Sequence, residues 1–216
     1  MSTMDSIANA FNGAYKSSRL IYRPLEDNED DKEFLYQNVF LDPANVGLAN
    51  PVLFRPYTKK QAYGDLDGMA KCSLLAVLIC LPPETSPSTN SKNKGQIIGY
   101  MTLSRFSMDS TAHCRSTRIG LQIASVYQNK GYGAEAIRWA LDWAFLWAGM
   151  RRVEIGTTAY NERAVALYKK LGFVEEGRAR EKVLMHGRWW DEVDFGMLER
   201  EWLAIRKRED NGGVEN

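Results

Sequence analysis

The chain has 216 residues, of which 44% are hydrophobic, which suits one domain or one domain with an insertion. Its 28 basic and 27 acidic side chains leave a formal net charge of +1, so we expect neither nucleic acid nor a membrane surface as a partner. The three cysteines form no Cys-x-x-Cys pair and there are two histidines, which argues against a disulfide framework and against a bound metal.

Residues 1–17 are small and polar and predict a flexible N-terminus. They lack the basic region and the apolar core of a secretory signal. The longest apolar run of the chain, residues 74–81, is too short to span a bilayer. We therefore expect a soluble protein of the cytoplasm, with the nucleus left open as a second location.

The next part of the chain predicts helical segments and a meander of short strands. The predicted elements are a strand at 18–25, a short helix at 30–38, a loop or broken helix at 41–56, a helical segment at 57–71, and strands at 73–81, 96–105 and 117–124. The segment 82–95 is rich in Pro, Ser, Asn and Lys, and we interpret it as a mobile insertion. Residues 106–116 form a polar connection between two of the strands.

The C-terminal part begins with a helix at 135–147, whose apolar residues recur at i, i+3, i+4 and i+7. A second stripe on this helix, Trp139, Trp143 and Trp147, predicts internal packing or a subunit contact. The elements predicted after it are a strand at 152–158, a helix at 162–171, strands at 173–184 and 192–198, and a flexible tail at 204–216.

These elements predict a mixed α/β domain with a mostly antiparallel sheet and helices on both faces. A right-handed crossover through the 135–147 helix makes strands 118–124 and 152–158 parallel neighbours.

The segment 128–134, Gln-Asn-Lys-Gly-Tyr-Gly-Ala, joins a predicted strand to a predicted helix. Free backbone N–H groups at a helix N-terminus bind anions, and glycines let a bulky anion approach the backbone. A dinucleotide-binding fingerprint also fits Gly131, Gly133 and Ala136, with Glu154 about 20 residues on. Its context does not fit, because several residues separate the strand from the first glycine and a meander precedes the unit.

This loop resembles the pyrophosphate loop of the GNAT acyl-CoA-dependent N-acyltransferase superfamily. Four further segments support the resemblance in the same order: the opening strand 18–25, the segment Gln-Ile-Ile-Gly-Tyr at 96–100, the run from Asn161 to Phe173, and Gly-Arg-Trp-Trp-Asp at 187–191 followed by Glu201-Trp202. The last of these is similar to the RimJ/RimL and polyamine acetyltransferase branch. The resemblance covers residues 18–203 and implies the GNAT fold.

The resemblance implies acetyl-CoA as cofactor, held by its pyrophosphate on the loop. Its pantetheine arm is expected to pair like an added strand with the backbone near Ile123 and Ser125. The implied cofactor-binding residues are Ile123, Ser125, Gln128, Lys130, Gly131, Tyr132, Gly133, Ala134, Asn161 and Tyr168. Tyr168 lies two helical turns after Asn161, and in the family a tyrosine here can protonate the leaving thiolate. A helix cap for Asn161 and a buried structural tyrosine for Tyr168 are the alternatives.

The proton acceptor is less clear, because many family members carry a glutamate where this chain has Arg118. Glu154 is the candidate catalytic base on the neighbouring strand, although an ion pair with an arginine would explain it equally well. His113 on a loop and a water chain to solvent are the other options.

The acceptor pocket is expected from residues 41–57, 106–116 and 185–191. Its candidate walls are Tyr57, Trp189, Trp190 and Asp191. The function implied is transfer of an acetyl group to a primary amine of a small molecule or a protein N-terminus, by direct attack in a ternary complex. A longer-chain acyltransferase and a non-catalytic acyl-CoA-binding protein are the alternatives, and a homodimer is left open.

Overall fold

The computed structural model describes residues 3–49, 52–83, 95–105 and 113–212. Most of the expected insertion 82–95, and residues 106–112 of the expected acceptor wall, lie outside these residues.

The helices are α1 Thr3–Gly13, α2 Glu29–Leu35, α3 Pro43–Ala49, α4 Lys59–Cys72, α5 Tyr132–Asp142, α6 Glu162–Lys170 and α7 Glu199–Gly212. The strands are β1 Ile21–Pro24, β2 Ser73–Leu81, β3 Gln96–Arg105, β4 Ser116–Ile123, β5 Arg152–Thr158, β6 Val174–Met185 and β7 Arg188–Leu198. All seven predicted strands are confirmed.

The strands form one sheet in the order β1-β2-β3-β4-β5-β7-β6. Every neighbouring pair is antiparallel except β4 and β5, which are parallel as the crossover through α5 predicted. The parallel pairing covers three residues, from Ser116↔Arg152 to Arg118↔Glu154. Beyond Arg118 the two strands continue without pairing, so the sheet opens between them.

Two hydrophobic clusters cover the two faces of the sheet, which confirms the predicted α/β class. Along β2 the residues Val77 and Ile79 belong to one cluster and Leu78 and Cys80 to the other, because successive side chains point to opposite faces. The first cluster packs against α5 and the second against α2 and α4. Across the described ranges, no helix is long and apolar enough to cross a membrane.

Both ends of the described chain carry helices. Helix α1 occupies residues expected to be flexible, and α7 continues from the end of β7 through most of the expected tail. Trp202 attaches α7 to the rest of the domain, since it is 5% exposed and its indole Nε1 donates to Asp142 Oδ1 at 3.0 Å. This contact joins residues 60 positions apart in sequence, so no local pattern could have predicted it.

The tryptophan stripe runs from α5 into the π-helical segment Trp143–Trp147 that follows it, and it is partly internal. The ring of Trp139 is buried and stacks on Tyr22 with 3.7 Å between centroids, and its Nε1 donates to the Ala14 carbonyl at 2.9 Å. Trp147 is partly exposed beside Phe11 of α1. Internal packing therefore explains the first residue of the stripe.

Candidate functional site

The opening between β4 and β5 forms a cleft of about 650 Å³. Its walls are residues 119–123 of β4 and 156–158 of β5, together with the loop before α5 and the first two turns of α6. Because the strands stop pairing after Arg118, backbone edges along this cleft are left without a strand partner. An extended chain of amides is a ligand that such an edge can bind.

The loop before α5 adopts a conformation that suits an anion. Gly131 has a φ of 82°, in the left-handed region that favours glycine, and Asn129 has a φ of 61°. Within the described chain, no side-chain cap bond is made at the N-cap of α5, so the N–H groups of its first turn lack the capping acceptor that many helices have. The positive end of the helix dipole adds to the attraction for an anion.

Two arginines hold this loop in place. Arg19 donates to the Lys130 carbonyl at 3.0 Å and to Glu135 at 2.8 Å. Arg163 donates to the side-chain oxygens of Gln128 at 2.8 Å and Asn129 at 2.9 Å. These contacts join residues 34 to 116 positions apart, so no local pattern in the sequence could have revealed them.

Helix α3 lies across the end of the cleft and is bonded to both of its sides. Toward β4, the side-chain amide of Asn45 donates to the Ile123 carbonyl at 3.1 Å. Toward β5, Asn161 Nδ2 donates to the Leu48 carbonyl at 3.1 Å and the Tyr160 hydroxyl donates to the Gly47 carbonyl. The sequence analysis treated this segment as a loop or broken helix, and Asn45 was not singled out.

Tyr168 lies in the cleft wall on α6, on the same side as Asn161. Its ring packs edge-on against Phe195 with 5.6 Å between centroids. Burial raises the pKa of Tyr168 to about 12, while the positive charge of Arg118 acts in the opposite direction. Tyr168 therefore keeps its proton through the neutral range, as a proton donor must.

Arg118 marks the point where the strands diverge. Its guanidinium crosses β5 to reach β7, where it lies 2.8 Å from Asp194 and 3.8 Å from Glu192. Gly156 makes this crossing possible, because a Cβ at that position would overlap the guanidinium. Glu192 also contacts Lys182, and it is the one carboxylate among the described residues that line the cleft.

The structure brings most of the predicted cofactor residues together. Those in the cleft wall are Ile123, Gln128, Gly131, Tyr132, Gly133, Ala134, Asn161 and Tyr168. Two others lie beside it: Ser125 donates to Asp42, and the ammonium of Lys130 lies 5.4 Å from the ring centroid of Tyr127.

The predicted base Glu154 does not lie in the cleft wall. Its carboxylate accepts from Arg152 Nε at 2.8 Å, and Arg152 also pairs with Glu176. This is the ion pair that the sequence analysis gave as the alternative.

The four predicted acceptor residues also lie outside the cleft wall. Tyr57 packs edge-on against Phe40, and Trp190 packs edge-on against Tyr160. Trp189 is 59% exposed. Asp191 accepts from the backbone N–H of Glu181 at 3.0 Å, and so holds the bulge of β6 against β7.

Comparisons with known proteins identify the family of this chain. A family model described as a GNAT acetyltransferase domain matches residues 19–174. The chain is 33% identical over 89 residues to the spermidine N(1)-acetyltransferase of Vibrio cholerae, and 28% identical over 111 residues to the ribosomal protein uS5 alanine N-acetyltransferase of Escherichia coli. The two alignments cover 41% and 51% of this chain. The chain spans about half the length of these curated relatives, 51% and 56%.

Solved structures show the same fold. The crystal structure of spermidine N-acetyltransferase from Vibrio cholerae in complex with CoA and spermine superposes with a TM-score of 0.69 at 21% identity. The superposition covers 87% of this chain and 99% of that one. An acetyltransferase of the GNAT family from Bacillus anthracis gives a TM-score of 0.68 at 19% identity, over 86% of this chain and 98% of that one.

Proposed function

Because the chain belongs to the GNAT acetyltransferase family, we propose that it moves the acetyl group of acetyl-CoA to a primary amine by direct attack within a ternary complex. One observation carries the proposal: an uncapped helix N-terminus opens onto a cleft between diverging strands, and Tyr168 lines that cleft. The helix terminus suits a pyrophosphate, and the strand edges suit an amide-rich arm.

The residues of the cleft account for the proton that the leaving group needs. As the amine nitrogen bonds to the thioester carbon, the carbon–sulfur bond breaks and a thiolate leaves. The Tyr168 hydroxyl would donate its proton to that sulfur and recover one from the nitrogen of the new amide. An acceptor amine that is protonated must lose a proton before it attacks, and this proton would pass to water. Glu192 is the carboxylate near that water, because it lines the cleft and Glu154 does not.

The acceptor that we propose is a primary amine of a small molecule or a protein N-terminus. The curated relatives are named for both kinds of acceptor, spermidine and the alanine of ribosomal protein uS5. The position of Glu154 outside the cleft favours one alternative, a non-catalytic acyl-CoA-binding protein. A longer-chain acyl-CoA transferase is the second alternative.

Release of free CoA thiol from acetyl-CoA tests the proposal. We would incubate the protein with acetyl-CoA and a panel of polyamines, amino sugars and peptides with free N-termini. Amine-dependent release identifies a transferase and its acceptor class. CoA binding without release for any amine would support the binding protein, and a protein that binds no CoA would refute the proposal.

Replacing Tyr168 with Phe is expected to slow turnover about 10- to 100-fold without abolishing it, because thiolate release needs modest acid help. The ring and its packing on Phe195 remain, so the Kd of acetyl-CoA should not change. Steady-state kinetics beside calorimetric CoA titration separate the two quantities. Equal kcat values for the variant and the wild type would show that the hydroxyl is only structural.

A further inference from the structure

The carbonyl of Ile123, the last residue of β4 and part of the cleft wall, has no remaining acceptor capacity. A backbone carbonyl oxygen has two lone pairs. One accepts from Gln128 Nε2 at 2.8 Å and the other from Asn45 Nδ2 at 3.1 Å. Both donors are side-chain amides, the same chemical group that an amide-rich arm would present to this strand edge. An arm that pairs with this carbonyl must therefore displace one of them.

Gln128 is the more firmly held of the two donors. Its Oε1 accepts from Arg163 at 2.8 Å, so the side chain is fixed at both ends, and its bond to Ile123 is the shorter. Asn45 lies on α3, a helix of seven residues, and its amide bond to Ile123 is the longer. Asn45 is 4% exposed and stands between the helix and the cleft.

We propose that Asn45 is a positioning residue that holds, on the Ile123 carbonyl, the place of an amide N–H of the pantetheine arm of acyl-CoA. The proposal rests on the function proposed above. One amide donor leaves the carbonyl as another arrives, so the carbonyl stays bonded throughout. Leu48 and Ala49 of the same helix line the cleft, so the release of Asn45 also links cofactor binding to the wall contributed by α3.

The proposal predicts that removing the Asn45 donor lowers the stability of the protein and raises its affinity for acetyl-CoA. Asn45→Leu keeps the branching of the side chain at Cγ and removes the donor. The variant loses one hydrogen bond between α3 and β4, so its melting temperature should fall. Its affinity for acetyl-CoA should rise about three- to tenfold, because the cofactor no longer has to displace a bonded amide. Differential scanning fluorimetry and isothermal titration with acetyl-CoA measure the two quantities.

Tyr160→Phe provides the matched control. It removes the bond from Tyr160 to the Gly47 carbonyl, which also anchors α3, but leaves Asn45 on Ile123. Its affinity for acetyl-CoA should equal that of the wild type. A gain in affinity for this variant equal to that of Asn45→Leu would overturn the proposal, because loosening of α3 would then be the cause.

Unchanged or weaker acetyl-CoA binding by Asn45→Leu, beside normal binding by the wild type, overturns this proposal alone. If the leucine variant does not fold, Asn45→Ala is measured in the same way. Its affinity for acetyl-CoA must also rise if the proposal is right. A wild-type protein that binds no acetyl-CoA refutes the proposed function instead, and this proposal with it.

Discussion

Gly133→Val is expected to lower the affinity for CoA at least about 100-fold while the protein stays folded. A Cβ at Gly133 would meet only Leu121 Cδ2 at 3.8 Å, an ordinary van der Waals contact, so the fold can accept it. The added methyl groups would fill the space over the free N–H groups at the start of α5, where the pyrophosphate is proposed to lie. Loss of several charge-assisted hydrogen bonds accounts for an effect of this size.

Isothermal titration with CoA measures the loss, and chemical denaturation measures the fold. The unfolding free energy should stay within about 1 kcal/mol of the wild type, since glycine is a poor helix former. Gly64→Val is the control, because Gly64 also lies in a helix with open space around its Cβ position but is not among the residues that line the cleft. If CoA bound equally well to both variants, the loop would not be the anion site.

Gly131 differs from Gly133 and should not replace it in this test. Its φ of 82° strains any other residue, and its Cβ would lie 3.2 Å from Arg19 Nη2. A substitution there changes the loop itself, so a loss of binding could not be assigned to the lost space.

Gly99→Ala is expected to destabilise the protein by about 2–3 kcal/mol. Gly99 pairs with Ile123 across β3 and β4. A Cβ at Gly99 would overlap the Gln122 carbonyl oxygen and lie 2.9 Å from Ile123 Cα. Both are backbone atoms, so the clash can be relieved only by moving β4 toward the cleft.

Urea denaturation compares this variant with Gly120→Ala on the facing strand. A Cβ at Gly120 would meet Thr102 Oγ1 at 2.9 Å, a side-chain atom that can rotate away. We therefore expect the Gly120 variant to lose less than about 1 kcal/mol. Equal losses would mean that β4 yields as easily as a side chain does. The close approach of the β3 and β4 backbones behind the cleft thus explains why the Gln-Ile-Ile-Gly-Tyr segment has a glycine at this position.

Local patterns predicted the seven strands and the helices α5 and α6. The strands and α5 follow from periodicity, and the parallel pair follows from the handedness of the crossover through α5. The segment from Asn161 to Phe173 predicted α6, and the cap is seen in the Asn161 Oδ1 that accepts from the Ala164 N–H. These features depend on residues close in sequence.

Contacts between distant residues could not be predicted in this way. Asn45 meets Ile123 across 78 positions, and Arg118 meets Asp194 across 76. For Glu154 the sequence offered both an ion pair with an arginine and a place in the cleft, and it could not decide between them; the side chain meets Arg152. Periodicity gives two faces to a strand, but packing decides which neighbours each face meets.

The unpaired stretch of β4 gives this strand two kinds of backbone amide. The Ala124 N–H donates to the Ile98 carbonyl, so by the alternation of a strand the N–H groups of Gly120 and Gln122 also point to β3. The Ile119 N–H belongs to the last paired step between β4 and β5, where Arg118 pairs with Glu154, and the N–H groups of Leu121 and Ile123 point into the cleft. Deuterium uptake should therefore alternate between slow and fast along the four residues from Gly120 to Ile123. A ligand that adds itself as a strand would slow only the fast set, so the rates would report on the cleft directly, without any substituted residue.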